Sequence, residues 1–316
     1  MEDSDFEGPN TTPFIAAEWI GAGKKVPAPN DMPDGLANYL GAIKAVPEDV
    51  KEKHYPQNHI TVEDFRQIKL PKLSYTLPRI KVEACFNKAV PNEAMETLSN
   101  LNRPLPSRQL VQNMLQHLPQ AVLDGNQSVL DPAFLGSLYP LWTVRYWLDI
   151  WDIADSQDSW RKGLKWLDAT IKSEGENDVF LEAQRLTRIL RWNEESDIPG
   201  ANRLSVSFFA KFLSNSAQMS TSHINMMFSH LSDRMEADED LDALVGIETL
   251  RFWDEIKKAP SAKYYDTMQT KSFIRRLETR LANEEIDYLV FPVRMDDEEH
   301  WLTFKLDFTK KEIMYG

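Results

Sequence analysis

DYLVFPVRMDDEEHWLTFKLDF, residues 287–308, is the stretch that decides the fold of this chain. It opens with an apolar run at 288–293, and an acidic connection at 296–299 leads to His300 and Trp301. From Trp301 onward polar and apolar side chains alternate, and a period of two is typical of a strand with one buried face. The stretch therefore predicts two strands joined by an acidic connection. The residues expected on the buried face of the second strand are Leu302, Phe304, Leu306 and Phe308.

The residues that follow predict a third strand. Lys310 and Lys311 are typical of a turn, and Glu312-Ile-Met-Tyr315 begins another extended segment just before Gly316. A strand without a neighbour leaves its backbone groups and its buried face open. We therefore expect the sheet to continue in residues beyond Gly316, so that the sequence would hold only the first part of a domain.

Composition favours a globular protein and argues against two kinds of partner. The 316 residues carry a net charge of -13 without a dense basic run, which argues against binding to nucleic acid. No apolar run approaches the length of a membrane span, and the acidic N-terminus differs from a secretory signal. Because Cys85 is the one cysteine, an intramolecular disulfide and a cysteine-rich zinc module are excluded. We expect an intracellular protein, nuclear or cytoplasmic, with no membrane partner.

The order of the predicted elements indicates an α+β fold in three regions. Residues 1–60 are rich in proline and glycine and predict mostly loop or disorder, apart from a short apolar patch around Leu36, Tyr39 and Leu40. Residues 61–192 predict a helical accessory region, and residues 193–316 predict helices followed by antiparallel strands. The boundary falls in the polar segment 192–202, which contains a Pro-Gly pair.

Helical periodicity predicts several amphipathic helices before the strands. One is expected to begin after Ser107 and to end at Pro119, and three more are expected between 138 and 190, with a break near 156–159. Five of the nine tryptophans lie in this second part at helical spacing, which is typical of core contacts rather than of a ligand site. Beyond the boundary, helices are predicted near 206–213, after Ser220, near 250–256 and near 273–281.

His300 and Trp301 form the candidate catalytic and substrate-binding pair. A histidine suits general base catalysis because its unperturbed pKa lies near neutrality, and the strand behind His300 supplies a rigid support. Trp301 would shield the site from water. On the residues alone an alternative stays open, in which His300 is an exposed loop histidine beside a core tryptophan.

Motifs spread over residues 190–316 occur in a characteristic order. A strand ending in Pro292-Val293 is followed by His300-Trp301 and then by a strand with Asp307-Phe308 before a basic turn. Upstream, Leu190-Arg-Trp-Asn193 precedes a Pro-Gly pair, and residues 212–225 hold Phe-Leu-Ser, a polar cap and Ile-Asn at a helix start. Together these motifs resemble the ubiquitin-like-protein-specific cysteine proteases of the SUMO-protease type, particularly divergent fungal members.

The resemblance implies that 193–316 is an incomplete papain-like cysteine protease domain. Such enzymes process or remove a ubiquitin-like modifier such as SUMO after Gly-Gly. A histidine activates the cysteine, an aspartate orients the imidazole, and a glutamine helps to hold the oxyanion. Only the histidine carries over, to His300, and the other three are expected beyond Gly316. Gln218 stands where the family usually has a tunnel-lining tryptophan. The chain given is therefore expected to be inactive by itself.

The alternative is a non-enzymatic helical protein-interaction protein. In that interpretation the tryptophan-rich helices at 138–192 would bind a protein partner, and the terminal strands would only complete a core. The two interpretations share the expected fold class and differ in the surface that carries the function.

Three other features have plainer interpretations. Cys85 precedes His300, as a papain-type nucleophile would, but its neighbours match a packed segment better. His223 and His230 lie seven residues apart on one predicted helix, with no third metal ligand nearby in sequence. The acidic connection 296–299 lacks the spacing of a calcium loop and predicts a solvated turn. No metal or other cofactor is expected.

Overall fold

The computed structural model describes residues 14–76, 80–92, 104–133, 136–174, 177–196, 204–213, 219–238, 245–258, 275, 277–295 and 300–316. The chain has an α+β fold and divides into two compact units. The first unit is 1–161 with 182–191, and the second is 162–181 with 192–316. Several predicted features lie outside the described residues, namely Gln218, the boundary residues 197–202, Phe273, Ile274 and the acidic connection 296–299.

Helices α1 (Asp34–Lys44) and α2 (Glu48–His54) occur within residues 1–60, where composition predicted mostly loop or disorder. The first helix covers the apolar patch that was set apart from that prediction, and over the second helix the prediction of loop is wrong. The prolines stand just before the helices, since Pro33 and Pro47 are the N-cap residues. Leu36, Leu40 and Val50 are buried, with 0%, 4% and 0% of their surface exposed. Burial of apolar side chains outweighs a weak helix propensity.

Helix α3 (Val62–Phe65) begins after Thr61, whose hydroxyl accepts a hydrogen bond from the Asp64 N–H at 3.1 Å. Helix α4 (Arg108–Leu123) begins as predicted, but it continues past Pro119. A proline inside a helix costs about 3 kcal/mol. Here the residues of the extra turn, Ala121 to Leu123, are buried, and their burial offsets that cost.

Helix α5 (Thr143–Glu174) is continuous where two helices were predicted, and α6 (Asp178–Thr187) follows it. The polar run at 156–159 does not break α5 because Gln157 is buried and donates hydrogen bonds to the carbonyls of Phe65 (2.7 Å) and Ile68 (2.9 Å). The polar residues at 156–159 were expected to contact solvent, but the Gln157 amide is satisfied by hydrogen bonds to a distant part of the chain. The prediction of core tryptophans is confirmed for Trp147, Trp151 and Trp160, each at most 3% exposed.

A small antiparallel sheet completes the first unit. Its strands are β1 (Phe86–Asn87), β2 (Ser128–Leu130) and β3 (Leu138–Pro140), in that order. A 3-10 turn at Val82–Cys85 precedes β1. Further 3-10 turns lie at Ala16–Glu18 and Pro29–Asp31.

The second unit contains most of the strands. A short antiparallel pair, β4 (Glu195–Ser196) and β5 (Leu204–Ser205), leads into a 3-10 helix at Val206–Leu213. The second unit also contains the C-terminal part of α5, the helices α7 (Thr221–Glu236) and α8 (Leu250–Lys258), and a helical segment at 277–282. The helices predicted after Ser220 and near 250–256 are thereby confirmed.

The main sheet has the order β6 (Val245–Ile247), β7 (Tyr288–Met295), β8 (His300–Asp307) and β9 (Glu312–Tyr315). The last three are antiparallel and confirm the three strands predicted within residues 287–316. The first was missed, and it pairs with β7 in parallel, so the sheet is mixed. A segment of three residues with a central glycine gives too weak a signal for β6 to be predicted as a strand. That glycine has a packing reason, since a Cβ at Gly246 would lie 3.1 Å from the Leu289 Cδ1 atom.

One face of this sheet forms the core of the second unit. Across β7 and β8 the apolar side chains pair directly, with Leu289 opposite Leu306 and Phe291 opposite Phe304. Phe252 of α8 and Leu277 of the 277–282 helix pack on the same face. At the far end of β8, the Asp307 carboxylate accepts a hydrogen bond from the Lys310 N–H at 2.9 Å and fixes the turn into β9. The hairpin thus holds both ends of β8 in place.

Candidate functional site

His300 lies at the end of a rigid hairpin. It is the first residue of β8 and pairs with Met295, the last residue of β7, and the ladder joins every residue from there to Asp307. Its imidazole side chain is exposed. A long antiparallel ladder fixes the backbone at this position while leaving the side chain open to a ligand.

Trp301 is held more firmly than its neighbour. Its indole N–H donates a hydrogen bond to the carbonyl of Met219 at 3.0 Å, and the guanidinium of Arg294 lies 5.9 Å from the ring centre. Arg294 is also its partner across the β7–β8 ladder. The ring is half-buried, so one part of it stays accessible to a ligand.

The two candidate residues point to opposite faces of the sheet. Successive side chains alternate along a strand, and the even-numbered residues of β8 face the core. His300 is therefore on the core side at the sheet end, and Trp301 is on the other side. A ligand that touches both must cross the end of the hairpin rather than lie on one face.

No orienting carboxylate reaches His300 from the part of the chain that the structure describes. No hydrogen bond or ion pair joins its imidazole to any of those residues. The buried carboxylate on the same strand, Asp307, is seven residues away, about 23 Å along the strand. Asp307 is also occupied by the turn, where Lys310 Nζ lies 3.7 Å from its second oxygen. Among the described residues, the candidate base His300 therefore has no side chain that orients its imidazole.

Cys85 is not available as a nucleophile. Its side chain is fully buried, and its thiol lies 3.9 Å from the carbonyl oxygen of Lys81. Burial raises the pKa of the Cys85 thiol to about 11, and the negative charges of Asp131 and Glu83 add to the effect. Because the thiolate is the reactive form, such a cysteine behaves as a small apolar residue.

We expect Cys85 to resist thiol reagents in the folded protein. At pH 8, the rate of reaction with an aromatic disulfide reagent should be at least about a hundredfold below that of the urea-unfolded chain, because the thiolate is scarce and enclosed. Since the chain has one cysteine, the released chromophore reports this residue alone. Equal rates in the folded and unfolded states would contradict the assignment.

His223 is a buried structural histidine rather than a metal ligand. Its Nδ1 accepts a hydrogen bond from the Ser220 N–H at 3.2 Å, so Nε2 carries the proton and donates to the carbonyl of Phe208 at 3.0 Å. The ring stacks on Phe208 with centres 3.4 Å apart and meets Phe212 edge-on at 4.9 Å. His230, by contrast, is exposed. Among the described residues no group of three or more metal-binding side chains occurs.

Sequence reasoning missed the role of His223, although one signal was present. Ser220 lies three residues before it at the start of α7, the spacing of a capping box in which a glutamate or glutamine usually occupies the second position. Histidine in that position can accept the same backbone hydrogen bond. The three-residue spacing between Ser220 and His223 indicated the structural role of His223, whereas the seven-residue spacing between His223 and His230 did not.

The first unit contains an apolar cleft of 470 Å³. Its walls come from α1, the end of α4 and the segment before α5, and they include Tyr39, Val122 and Trp142. Asn126 and Gln127 add polar groups at the wall. Of the tryptophans in the predicted stripe, Trp142 is only half-buried and lines this cleft.

Comparisons with protein-family models, with curated proteins and with solved structures found no match for this chain. Among the described residues no helix is both long and apolar enough to cross a bilayer.

Proposed function

We propose that the second unit is a divergent module of the SUMO-protease type, in which His300 is the candidate base and Trp301 contacts the substrate. The observation that carries the proposal is the hairpin itself. It presents an exposed histidine at the first position of β8, with an anchored tryptophan beside it and a buried aspartate before the basic turn. The papain-like assignment of the domain is part of this proposal.

The proposed substrate class is a ubiquitin-like modifier with a C-terminal Gly-Gly tail, free or conjugated. An extended Gly-Gly segment is narrow enough to cross the end of a hairpin, where it would meet Trp301 on one side and His300 on the other. Glycine allows that close approach because it has no Cβ. A general base acts only on a proton within hydrogen-bond reach, which the exposed imidazole permits.

The chain as given is proposed to bind such a modifier without cleaving it. Acyl transfer in this family needs a thiolate, and the one cysteine present, Cys85, is buried with a raised pKa. We expect no release of the tail from a modifier precursor. We also expect no covalent adduct with a modifier that carries a C-terminal electrophile. Either product would contradict the inactive state.

Binding tests the recognition separately from catalysis. Titration of an isotope-labelled SUMO-type modifier with the full chain should perturb signals at its Gly-Gly tail, and removal of the two glycines should abolish that perturbation. Trp301→Ala should weaken binding roughly tenfold, the loss of about 1.4 kcal/mol of contact. His230→Ala is the matched control, since it removes an exposed histidine from α7. The family proposal fails if no ubiquitin-like modifier binds, or if Trp301→Ala binds as tightly as the original chain while remaining folded.

The cleft in the first unit supports a second candidate function, that of a non-enzymatic protein-interaction protein. The buried tryptophans cannot form its binding surface, but Trp142 lines a cleft large enough for an apolar side chain of a partner. In that case the partner would protect residues around Trp142 from hydrogen exchange and would leave β7 and β8 unchanged. Protection around β8 would favour the peptidase-type module instead.

A further inference from the structure

The cleft of the first unit has a wall around Ile20 that hydrogen bonds fix to helix α4. The Gly21 N–H donates to the carbonyl of Leu123 at 2.7 Å, and the Val26 N–H donates to the side-chain carbonyl of Gln120 at 3.1 Å. Ile20 lies next to the first of these contacts and lines the cleft. A ligand therefore meets a wall that is already formed, which lowers the entropic cost of binding.

The turn after α4 supplies an acceptor whose identity the hydrogen bonds determine. Gly125 has a φ of 85°, a left-handed conformation that glycine adopts without strain. The backbone N–H of Asn126 and its side-chain Nδ2 atom both donate to the carbonyl of Ala121, at 3.0 and 2.9 Å. Because only the amide nitrogen can donate to a carbonyl, these contacts fix the orientation of the amide. No described residue donates to the Asn126 Oδ1 atom, so the residue brings a free acceptor to the lining of the cleft.

Two aromatic side chains add flat surfaces and further polar groups. Tyr39 of α1 and Trp142 before α5 are half-buried and line the cleft. Among the described residues, neither the Tyr39 hydroxyl nor the Trp142 indole N–H has a hydrogen-bond partner. Apolar walls with a few free polar groups are typical of small-molecule sites. The apolar lining residues are Ile20, Ala42, Ile43, Val122, Pro140 and Leu141.

The lining of the cleft carries no charge. None of the described residues that form it is acidic or basic. An ionised ligand would lose its water there without gaining a countercharge, and that loss is costly. The volume of 470 Å³ lies within the range of clefts that enclose small molecules, about 300–1,000 Å³. Both observations favour a neutral small molecule.

We propose that this cleft binds a neutral, flat ring compound that carries an N–H or O–H donor. The ring would lie against the indole of Trp142, and the donor would bind the free acceptor of Asn126. The inference does not depend on the peptidase-type proposal. It also assigns the cleft a different ligand from the second candidate function, in which the side chain of a protein partner enters.

Indole is the probe for this site, and titration with the full chain by ligand-detected NMR measures its binding. A ligand of about nine non-hydrogen atoms should bind with a dissociation constant on the order of 300 µM at pH 7. Benzofuran has the same shape with an oxygen in place of the N–H, so it should bind at least about threefold more weakly. Indole-3-carboxylate and protonated tryptamine carry charges of opposite sign. Each should bind at least about tenfold more weakly than indole.

Two matched substitutions in α1 locate the bound probe. Ala42 and Ala37 are both exposed on this helix, and of the two Ala42 lines the cleft. Ala42→Phe would place a ring in the cleft and should weaken indole binding at least about tenfold. Ala37→Phe makes the same chemical change outside the cleft and should leave the dissociation constant within about twofold. Thermal unfolding verifies that both variants fold.

The ligand site is overturned if indole does not bind at about 3 mM, roughly tenfold above the expected dissociation constant. It is equally overturned if Ala37→Phe weakens binding as much as Ala42→Phe, or if benzofuran or either charged analogue binds as tightly as indole. A protein partner that protects residues around Trp142 from hydrogen exchange, while indole does not bind, would assign the cleft to the second candidate function instead. That result would leave the proposal for β7 and β8 unaffected.

Discussion

Phe291→Ala should lower the free energy of unfolding of the second unit by about 3–5 kcal/mol, the usual cost of deleting a buried phenylalanine ring. Phe291 is 4% exposed and lies at the centre of β7. Its ring centre is 4.8 Å from that of Phe252 and 5.8 Å from that of Phe304. The substitution removes the contacts of both neighbours at once. The cavity would lie between α8 and the sheet, where a rigid ladder prevents collapse.

Hydrogen exchange of the β7 and β8 amides measures this effect in the second unit alone. Protection of these amides should fall by about two to four powers of ten, which corresponds to the expected change in free energy. Tyr315→Ala is the matched control because its ring continues the same row but is 73% exposed. Its effect should stay below about 1 kcal/mol. If both substitutions cost the same, the core of this unit does not lie where the structure has it.

The hairpin of β7 and β8 could be predicted because its signals are local. Alternation in β8 follows from one buried face, and the position of His300 at its start follows from the acidic residues before it. The direction of each side chain follows from the same period. Pairing with β6 could not be foreseen in this way, since a three-residue strand acquires its stability from Leu289 and its neighbours in space.

The helix boundaries show where tertiary contacts override local preference. Pro119 and the polar run at 156–159 both carry helix-breaking signals, and both lie inside helices. In the first case buried residues follow the proline, and in the second Gln157 donates hydrogen bonds to carbonyls at the end of α3 and just beyond it. In the second case the hydrogen-bond partners of Gln157 lie roughly ninety positions away in the sequence. A prediction from neighbouring residues cannot include such distant contacts.

The candidate site was predictable only in part. The exposure of His300 agrees with a functional role and equally with a solvated histidine, because both leave the imidazole open. What separates them is a partner that orients the ring, and no described residue supplies one. Cys85, by contrast, was assigned to a packed segment from its neighbours, and its burial agrees with that assignment. The local sequence was therefore sufficient to predict the buried state of Cys85, whereas the role of His300 stays a prediction.

His223→Ala should destabilise the second unit by at least about 3 kcal/mol, because several contributions are lost together. The two aromatic contacts contribute about 0.5–1.5 kcal/mol each. Loss of the acceptor for the Ser220 N–H removes part of the cap of α7, which costs about 1 kcal/mol. The carbonyl of Phe208 would lose its donor in a buried position. A cavity between Phe208 and Phe212 adds to these losses.

Two further variants separate the cap from the stacking. His223→Gln keeps an acceptor at the position that a capping box uses, so it should recover about 1 kcal/mol of the loss but none of the ring contacts. His230→Ala removes an exposed histidine from the same helix and should change stability by less than about 0.5 kcal/mol. Urea unfolding monitored by exchange of the α7 amides gives all three values. Equal effects at His223 and His230 would mean that the aromatic enclosure does not form, and a full recovery by glutamine would assign the whole effect to the cap.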